Sequence, residues 1–191
     1  MEKHHYQNIE LVINIKKIKM KNIILFTLLL FIKLSTAQNM DTTSTEQRLS
    51  IIEDKMAIKN VVDVFSNLAD TKEIDKQILL FTENGVVESY SNGKLSSSLK
   101  GRKQLKDAFS GFLSNFQVVY HQNGQQTIDL QGDKAIATSY CRVILIGEQD
   151  GKQIKTTLYT IYSDEFVKID GLWLINLRKS NFVWRETEEV K

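Results

Sequence analysis

The sequence predicts one α+β domain in which a curved antiparallel sheet wraps around about three N-terminal helices and encloses a cone-shaped cavity. Three observations predict this class. Apolar residues recur at helical spacing from about residue 45 onward, long strand-like segments joined by hairpin turns fill the second half of the chain, and no repeat or low-complexity block interrupts them. Helices followed by meandering strands are typical of an α+β domain.

An apolar run near the N-terminus is typical of a signal peptide. Lys19 and Lys21 give this run a basic start, and the apolar residues from Ile23 to Ile32 are too few to span a bilayer comfortably. Small residues favour cleavage after Ala37. We therefore expect a secreted or periplasmic protein with no stable membrane anchoring once the leader is cleaved.

Met20 is a better translation start than Met1, because a mixed polar stretch is unusual before a secretory leader. An uncleaved amphipathic anchor is the alternative interpretation of this N-terminal part. The predicted segments are, in order, an upstream extension (residues 1–19), the signal peptide (20–37), a flexible tether (38–46), the folded domain (47–185) and a solvated acidic tail (186–191).

Charge and cysteine content exclude several classes of protein. Six of the 25 basic residues and two of the 23 acidic residues lie before Gln38, so the remainder is weakly acidic. Such a chain has no basic stripe for phosphate backbones, and we expect no nucleic-acid binding. Cys141 is the only cysteine, histidines are few and no glycine-rich phosphate loop is present, so we expect no disulfide, metal or cofactor.

Hydrophobic spacing predicts the three helices in order. The first covers residues 45–69, the second covers about 73–81 and stops at a polar Glu-Asn-Gly triplet, and the third covers 101–116. Between the second and third helices, the Asn92-Gly93 pair predicts a tight hairpin, because both residues tolerate positive φ.

Everything after the third helix is predicted to be sheet. Turns rich in Gly and Asp, at residues 131–133, 149–151 and 170–171, have hairpin chemistry. The four strands that these turns separate are residues 117–130, 134–147, 152–168 and 173–184. Because long strands must curve to cover the helices, the sheet is expected to enclose a cone.

Several short segments, in this order, resemble SnoaL-like domains of the nuclear transport factor 2-like superfamily from about Ile51 to Trp184. These segments are Phe81-Thr82-Glu83-Asn84-Gly85-Val86-Val87-Glu88, Lys100-Gly101-Arg102, Tyr120-His121, Asp129-Leu130-Gln131-Gly132-Asp133, Tyr162-Ser163-Asp164-Glu165-Phe166 and Asp170-Gly171-Leu172-Trp173. The resemblance implies a cone-shaped α+β barrel with a cavity. It also implies a homodimer through the sheet, and a superfamily of dehydratases, isomerases, hydrolases, cyclases and non-catalytic binding proteins.

The resemblance also implies a candidate catalytic pair, Asp70 at the end of the first helix and His121 in the sheet. A carboxylate in hydrogen-bond reach of an imidazole fixes its tautomer and raises its basicity, which suits proton transfer near neutral pH. Tyr140 and Tyr162 could donate hydrogen bonds to a carbonyl or enolate, although the strand register that would aim them is not readable from the sequence. The alternatives are that Asp70 caps its helix and His121 is an ordinary strand residue.

The mature chain departs from the dehydratase pattern because it has no second histidine. Aromatic residues could line a cavity for a small, partly apolar molecule, or could simply form the core: Phe65, Phe109, Phe112, Phe116 and Trp173. Two functions therefore remain open at this point. One is a cofactor-independent lyase or isomerase that uses the Asp-His pair, and the other is a non-catalytic ligand-binding or dimeric scaffold module.

Overall fold

Residues 44–190 are the part of the chain that the computed structural model describes. The predicted upstream extension, the signal peptide and most of the tether lie outside the described residues. From Ile51 onward the chain forms a compact unit of its own. None of the helices in the described part is both long enough and apolar enough to cross a membrane.

Helix α1 covers residues 44–70 and presents an apolar face to the protein core. The buried residues of this face follow helical spacing: Ile58, Val61, Val62, Phe65 and Ala69. Three other apolar residues of the predicted stripe are exposed: Leu49, Ile52 and Met56. The helix ends as Lys72 takes a left-handed conformation (φ 58°), and the Glu73 N–H donates to the Leu68 carbonyl at 2.8 Å. This ending places Asp70 at the last helical position.

The second helix is shorter than its pattern predicts. Helix α2 spans Ile74–Gln77, and a 3₁₀ helix continues over Ile78–Leu80. Strand β1 already begins at Phe81, a fully buried residue that pairs with Ile175 in the last strand. Because apolar residues at the junction satisfy helix and strand patterns alike, the sequence signal could not place this boundary.

The remaining elements follow the predicted order. Helix α3 starts after Gly101, whose φ of 83° suits glycine. The bounds are β1 Phe81–Ser91, β2 Lys94–Lys100, α3 Arg102–Leu113, β3 Val118–Gln131, β4 Lys134–Gln149, β5 Lys152–Ile169 and β6 Leu172–Glu189. In the hairpin turns that contain Asn92, Asp150 and Asp170, this residue has a positive φ and the glycine after it has a positive φ as well, as a tight turn requires.

The six strands form one curved, unclosed sheet in the order β2-β1-β6-β5-β4-β3. This confirms the predicted α+β class, with one difference. The sheet is mixed, because β1 and β6 run parallel while all other neighbours are antiparallel. Hairpin turns reveal only neighbours in sequence, so the pairing of the first strand with the last could not be inferred from them.

Strand alternation gives the sheet an inner and an outer face. In β4 the inner residues are small or apolar and buried: Ala135, Ala137, Ser139, Cys141, Val143 and Leu145. Their outer neighbours, among them Ile136, Tyr140 and Arg142, are exposed. The inner face packs against α1 and the segment from α2 to β1, and this arrangement forms the core.

The predicted tail from residue 186 is not separate from the sheet. Its residues are exposed, as expected, but β6 continues to Glu189. Glu188 pairs with Lys155 at 2.5 Å and Glu189 pairs with Lys152 at 2.7 Å. These cross-strand ion pairs extend the β5–β6 ladder beyond the point where the apolar pattern stops.

Candidate active site

A cavity of about 300 Å³ lies between the inner face of the sheet and the helices. Most of its wall is apolar and includes Phe65, Phe109 and Phe112, which the sequence analysis assigned to a pocket. Seven polar side chains interrupt this wall: Gln77, Ser89, Ser97, His121, Tyr162, Arg178 and Ser180. An apolar pocket with a few converging polar groups is the usual form of a small-molecule site.

Asp70 and His121 are in direct contact at the edge of this cavity. The His121 ring Nδ1 lies 2.6 Å from Asp70 Oδ1, and the His121 backbone N–H donates to both carboxylate oxygens at 3.0 and 3.1 Å. The imidazole is 7% exposed and the Asp70 side chain 22%. A carboxylate oxygen accepts the hydrogen bond from Nδ1–H, so in the neutral ring this contact favours the tautomer with the lone pair on Nε2. Asp70 thus orients a ring whose second nitrogen is available for proton transfer.

Tyr162 lines the same cavity from the inner face of β5. Its side chain is buried, and burial raises the pKa of the phenol well above its usual range. The hydroxyl therefore keeps its proton at any physiological pH and serves as a hydrogen-bond donor.

Arg178 and Asp164 form a buried pair that the sequence analysis did not identify. Arg178 Nε lies 2.8 Å from Asp164 Oδ1, and Nη2 lies 2.7 Å from Oδ2. The two side chains are 1% and 0% exposed. Burial disfavours the charged guanidinium, but the adjacent Asp164 carboxylate outweighs this penalty and raises the pKa of Arg178.

The guanidinium of Arg178 has one nitrogen, Nη1, outside its hydrogen bonds to Asp164. Its Cζ lies 4.2 Å from the ring centroid of Phe65 and 4.4 Å from that of Tyr162. Within residues 44–190, buried Nη1 has no hydrogen-bond partner. Since Arg178 lines the cavity, Nη1 is a permanently charged donor for a ligand oxygen.

A β-bulge explains why the Arg178–Asp164 pair escaped prediction. From the turn at Asp170-Gly171, regular pairing would place Leu177 opposite Asp164. A register shift between Glu165 and Phe166 puts Arg178 there instead. The sequence does show two charged residues at inward positions of an apolar hairpin. That they lie opposite each other can be inferred only when the bulge is known.

Gln77 of α2 is a second polar group that sequence reasoning missed. It is 1% exposed, and its Nε2 donates to the Phe65 carbonyl at 3.0 Å. Buried Oε1 has no partner among the described residues. Gln77 follows Asp75 and Lys76 in a short helix and has no distinguishing sequence pattern, so nothing in the sequence separates it from a surface residue.

Three residues assigned to the site by sequence do not line the cavity. Tyr140 is on the outer face of β4, 44% exposed, because its neighbour Cys141 takes the inward position. Trp173 belongs to the core, where its Nε1 donates to Asp54 at 2.8 Å. Phe116 packs edge-on against Phe112 with ring centroids 5.2 Å apart, behind the cavity wall.

Cys141 is a buried thiol beside the site. Burial raises the pKa of the Cys141 thiol to about 12, so it stays neutral and unreactive. In the described part of the chain, no three His, Cys, Asp or Glu side chains come together where they could hold a metal ion. The groups available for chemistry are therefore the Asp70–His121 pair, Arg178 and Tyr162.

Residues 50–179 match the SnoaL-like domain family, so the chain belongs to that family. A structure from Novosphingobium aromaticivorans, provisionally named a scytalone dehydratase, is 23% identical (TM-score 0.64; 73% of this chain and 91% of that chain covered). A hexachlorocyclohexane dehydrochlorinase (LinA, type 2) is 14% identical (TM-score 0.60; 75% and 93% covered). An NTF2-like protein with a cystatin-like fold, also from N. aromaticivorans, is 20% identical (TM-score 0.58; 74% and 89% covered).

At these identities the likenesses show the fold, and function must be argued from the site. The chain has no match among curated proteins.

Proposed function

We propose that this protein is a cofactor-independent lyase or isomerase that removes a proton from a carbon next to a carbonyl group. The observation that carries the proposal is the 2.6 Å contact between Asp70 and the His121 ring at the edge of a largely apolar cavity. A histidine oriented by a carboxylate is suited to this chemistry because its Nε2 can accept and return a proton near neutral pH.

In the proposed mechanism, Nε2 of His121 takes the proton while the C–H electron pair forms an enolate. Asp70 stabilises the imidazolium through its hydrogen bond to Nδ1–H. Arg178 Nη1 and the Tyr162 hydroxyl donate to the carbonyl oxygen as its negative charge grows. The enolate then either expels a leaving group at the next carbon, with His121 returning the proton to it, or is reprotonated at another carbon.

The apolar wall strengthens each of these interactions. Excluding water lowers the local dielectric constant, so fixed donors such as Arg178 stabilise negative charge more than they would in solvent. The names of two similar structures, a scytalone dehydratase and a dehydrochlorinase, agree with an elimination. A cavity of about 300 Å³ suits a small, partly apolar molecule.

Proton exchange tests this proposal without knowledge of the natural substrate. Wild-type protein and His121→Asn are incubated with a panel of small ketones and hydroxy-carbonyl compounds in D₂O, and NMR follows deuterium entry next to the carbonyl. We expect the substitution to lower the exchange rate by about 10²- to 10⁴-fold. Tyr140→Phe, on the outer face, is the matched control and should exchange at the wild-type rate.

A non-catalytic binding module is the second candidate, and the lack of a second histidine in the mature chain favours it. In that case the same panel would stabilise the wild-type protein against heat while producing no exchange above the solvent rate. Exchange that is equal in wild type and His121→Asn would also reject the enzyme proposal.

We also propose that the protein is a homodimer that pairs through the outer face of the sheet. This face exposes a cluster of large side chains on neighbouring strands: Tyr120, Tyr140, Tyr159, Val183 and Trp184. An apolar patch of this kind on a soluble domain marks an association surface. Sedimentation should give a dimer for wild type and a monomer for Trp184→Glu, while Leu172→Glu, equally exposed at the β5–β6 turn, should remain dimeric.

Secretion is a further proposal, and it rests on the leader pattern alone. Mature protein isolated from the native host should begin at Gln38 if cleavage follows Ala37. An N-terminus at Met1 or Met20 on membrane-associated protein would favour the uncleaved anchor instead.

A further inference from the structure

The amide of Gln77 carries an unpaired acceptor in the cavity wall. The Phe65 carbonyl can only accept a hydrogen bond, so the group that contacts it at 3.0 Å must be the NH₂ of Gln77. This contact fixes the orientation of the amide and leaves Oε1 as the free atom. Gln77 is 1% exposed and lines the cavity, so Oε1 has no access to bulk water.

A buried acceptor without a partner costs about 1–3 kcal/mol, and the large majority of buried polar atoms in folded proteins are paired. Oε1 is therefore expected to meet its partner inside the cavity. An unpaired donor is available on the same wall, namely Arg178 Nη1. Both groups contact Phe65, since Gln77 binds its carbonyl and the guanidinium lies 4.2 Å from its ring centroid.

The charge of the surroundings limits what can bind there. Arg178 is already neutralised by its two hydrogen bonds to Asp164, and Asp70 adds a second carboxylate to the cavity edge. The site therefore has no excess positive charge to bind a ligand that is anionic before the reaction. A hydroxyl is a neutral group whose single oxygen can both donate to Oε1 and accept from Nη1.

We propose that Gln77 is a specificity-determining residue that selects neutral ligands with a hydroxyl at the end of the molecule facing Phe65. Oε1 of Gln77 accepts from the hydroxyl, and one N–H of Arg178 Nη1 donates to its oxygen, which leaves the second N–H of this NH₂ group for the carbonyl oxygen of the proposed reaction. A ligand that presents only an acceptor, such as an ether, places its lone pairs against Oε1 and is rejected. This inference rests on the proposed function in taking the cavity as the substrate site.

Three probe molecules distinguish the hydrogen bond to Gln77 Oε1 from the hydrogen bond donated by Arg178 Nη1. Phenol can donate and accept a hydrogen bond, anisole can only accept one, and toluene can do neither. Their dissociation constants for the wild-type protein are measured by NMR titration at pH 7, where phenol is neutral. We expect phenol to bind about 10-fold or more tightly than anisole, since the ether leaves Oε1 unpaired. Equal or tighter binding of anisole by the wild-type protein would overturn the proposal.

Gln77→Met keeps the length of the side chain and removes the acceptor, so the preference for phenol over anisole should fall to about one. Phe112→Leu, which alters the wall without altering a polar group, should change both affinities together and keep their ratio. Because Gln77→Met also loses the hydrogen bond to Phe65, its stability is followed by thermal unfolding. If it does not fold, the wild-type ratio and a phenol-bound crystal structure decide the question.

In that crystal structure the phenol oxygen should lie within hydrogen-bond distance of Gln77 Oε1. A retained water that bridges Gln77 and Arg178, with phenol bound elsewhere, would overturn the proposal. Measuring the probes in His121→Asn separates this inference from the proposed reaction, because that variant should keep the phenol preference while losing proton exchange. A phenol preference in a wild-type protein that shows no proton exchange would reject only the enzyme, and wild-type exchange without the preference would reject only the role of Gln77.

Discussion

Two carboxylates serve the same cavity in different ways. Asp164 is fully buried and binds the permanently charged Arg178 through two hydrogen bonds, whereas Asp70 is 22% exposed and binds the titratable ring of His121. The guanidinium and the carboxylate of the first pair are held in a fixed geometry by two parallel hydrogen bonds, so this pair suits a framework. The imidazole of the second pair has another ring nitrogen that can accept and return a proton, so this pair suits proton transfer. The difference shows that the partner and the exposure of an aspartate decide its role more than the residue type does.

Removing the buried carboxylate is expected to have the largest effect on folding. Asp164→Asn leaves the Arg178 charge buried and uncompensated, so the free energy of unfolding should fall by about 3–5 kcal/mol in urea denaturation. The double variant Asp164→Leu/Arg178→Met should recover much of the loss, because it removes the charge as well. A fall in the free energy of unfolding of less than about 1 kcal/mol for Asp164→Asn would show that the Arg178–Asp164 pair does not hold the fold together.

Removing the exposed carboxylate should instead affect chemistry. Asp70→Asn can no longer stabilise the imidazolium of His121, so proton exchange should slow by about 100-fold or more. Its free energy of unfolding should fall by less than that of Asp164→Asn, because the side chain retains contact with solvent. A larger stability loss for Asp70→Asn than for Asp164→Asn would reverse the comparison.

Cys141 extends the comparison to a buried acid without a charged partner. Burial raises the pKa of its thiol from about 9 to about 12 in the folded chain. The folded state therefore keeps a proton that the unfolded chain releases, so stability should decline as pH rises from about 9 towards 12. At pH 8, iodoacetamide should modify the native thiol roughly 100-fold more slowly than the thiol of the urea-unfolded chain. Cys141→Ala should lose the part of this decline between about pH 9 and 10, below the pKa of an unfolded tyrosine, and rapid native labelling would show that the thiol is not buried.

The smallest expected effect concerns a third aspartate, near the surface. Asp54 Oδ1 accepts from Lys168 at 2.7 Å and from Trp173 at 2.8 Å, and the hydrogen bond from Lys168 is the main cause of a lowered Asp54 pKa. A lowered pKa adds stability above pH 4, which is lost as pH falls through the pKa of the folded state. Because solvent screens this pair, Asp54→Asn should cost about 1 kcal/mol or less at pH 6 and less still at pH 3 in urea denaturation. An equal cost at both pH values would argue against an ionic contribution.

The predictions from sequence were most accurate for turns and helices, which depend on residues that are close together in the chain. Turn chemistry at Asn92-Gly93 and Asp170-Gly171 placed the hairpins, and helical spacing placed α1 and α3. The meeting of Asp70 and His121, 51 residues apart, came only from resemblance to a family, because spacing alone cannot bring distant residues together.

What the sequence did not predict depends on register and long-range pairing. One register shift in the β5–β6 hairpin places Arg178 opposite Asp164, and one step of alternation turns Tyr140 outward. Trp173 shows the same difficulty, since an aromatic residue in a strand suits a core as well as a pocket. Register errors of one residue reverse the face of every side chain, which is why the site's polar groups were the least predictable part.

The position of β6 has a consequence for the order of assembly. This strand is the last of the six in chain order, yet it lies between β1 and β5 in the sheet and carries Arg178. Until it arrives, the β1–β2 hairpin and the β3–β5 meander have no hydrogen-bonded ladder between them. A chain that ends at Ile169 should therefore lack protected amides in β1 by hydrogen exchange, since its parallel partner is missing. We expect the cavity to form only after β6 has been synthesised and has paired with both neighbours.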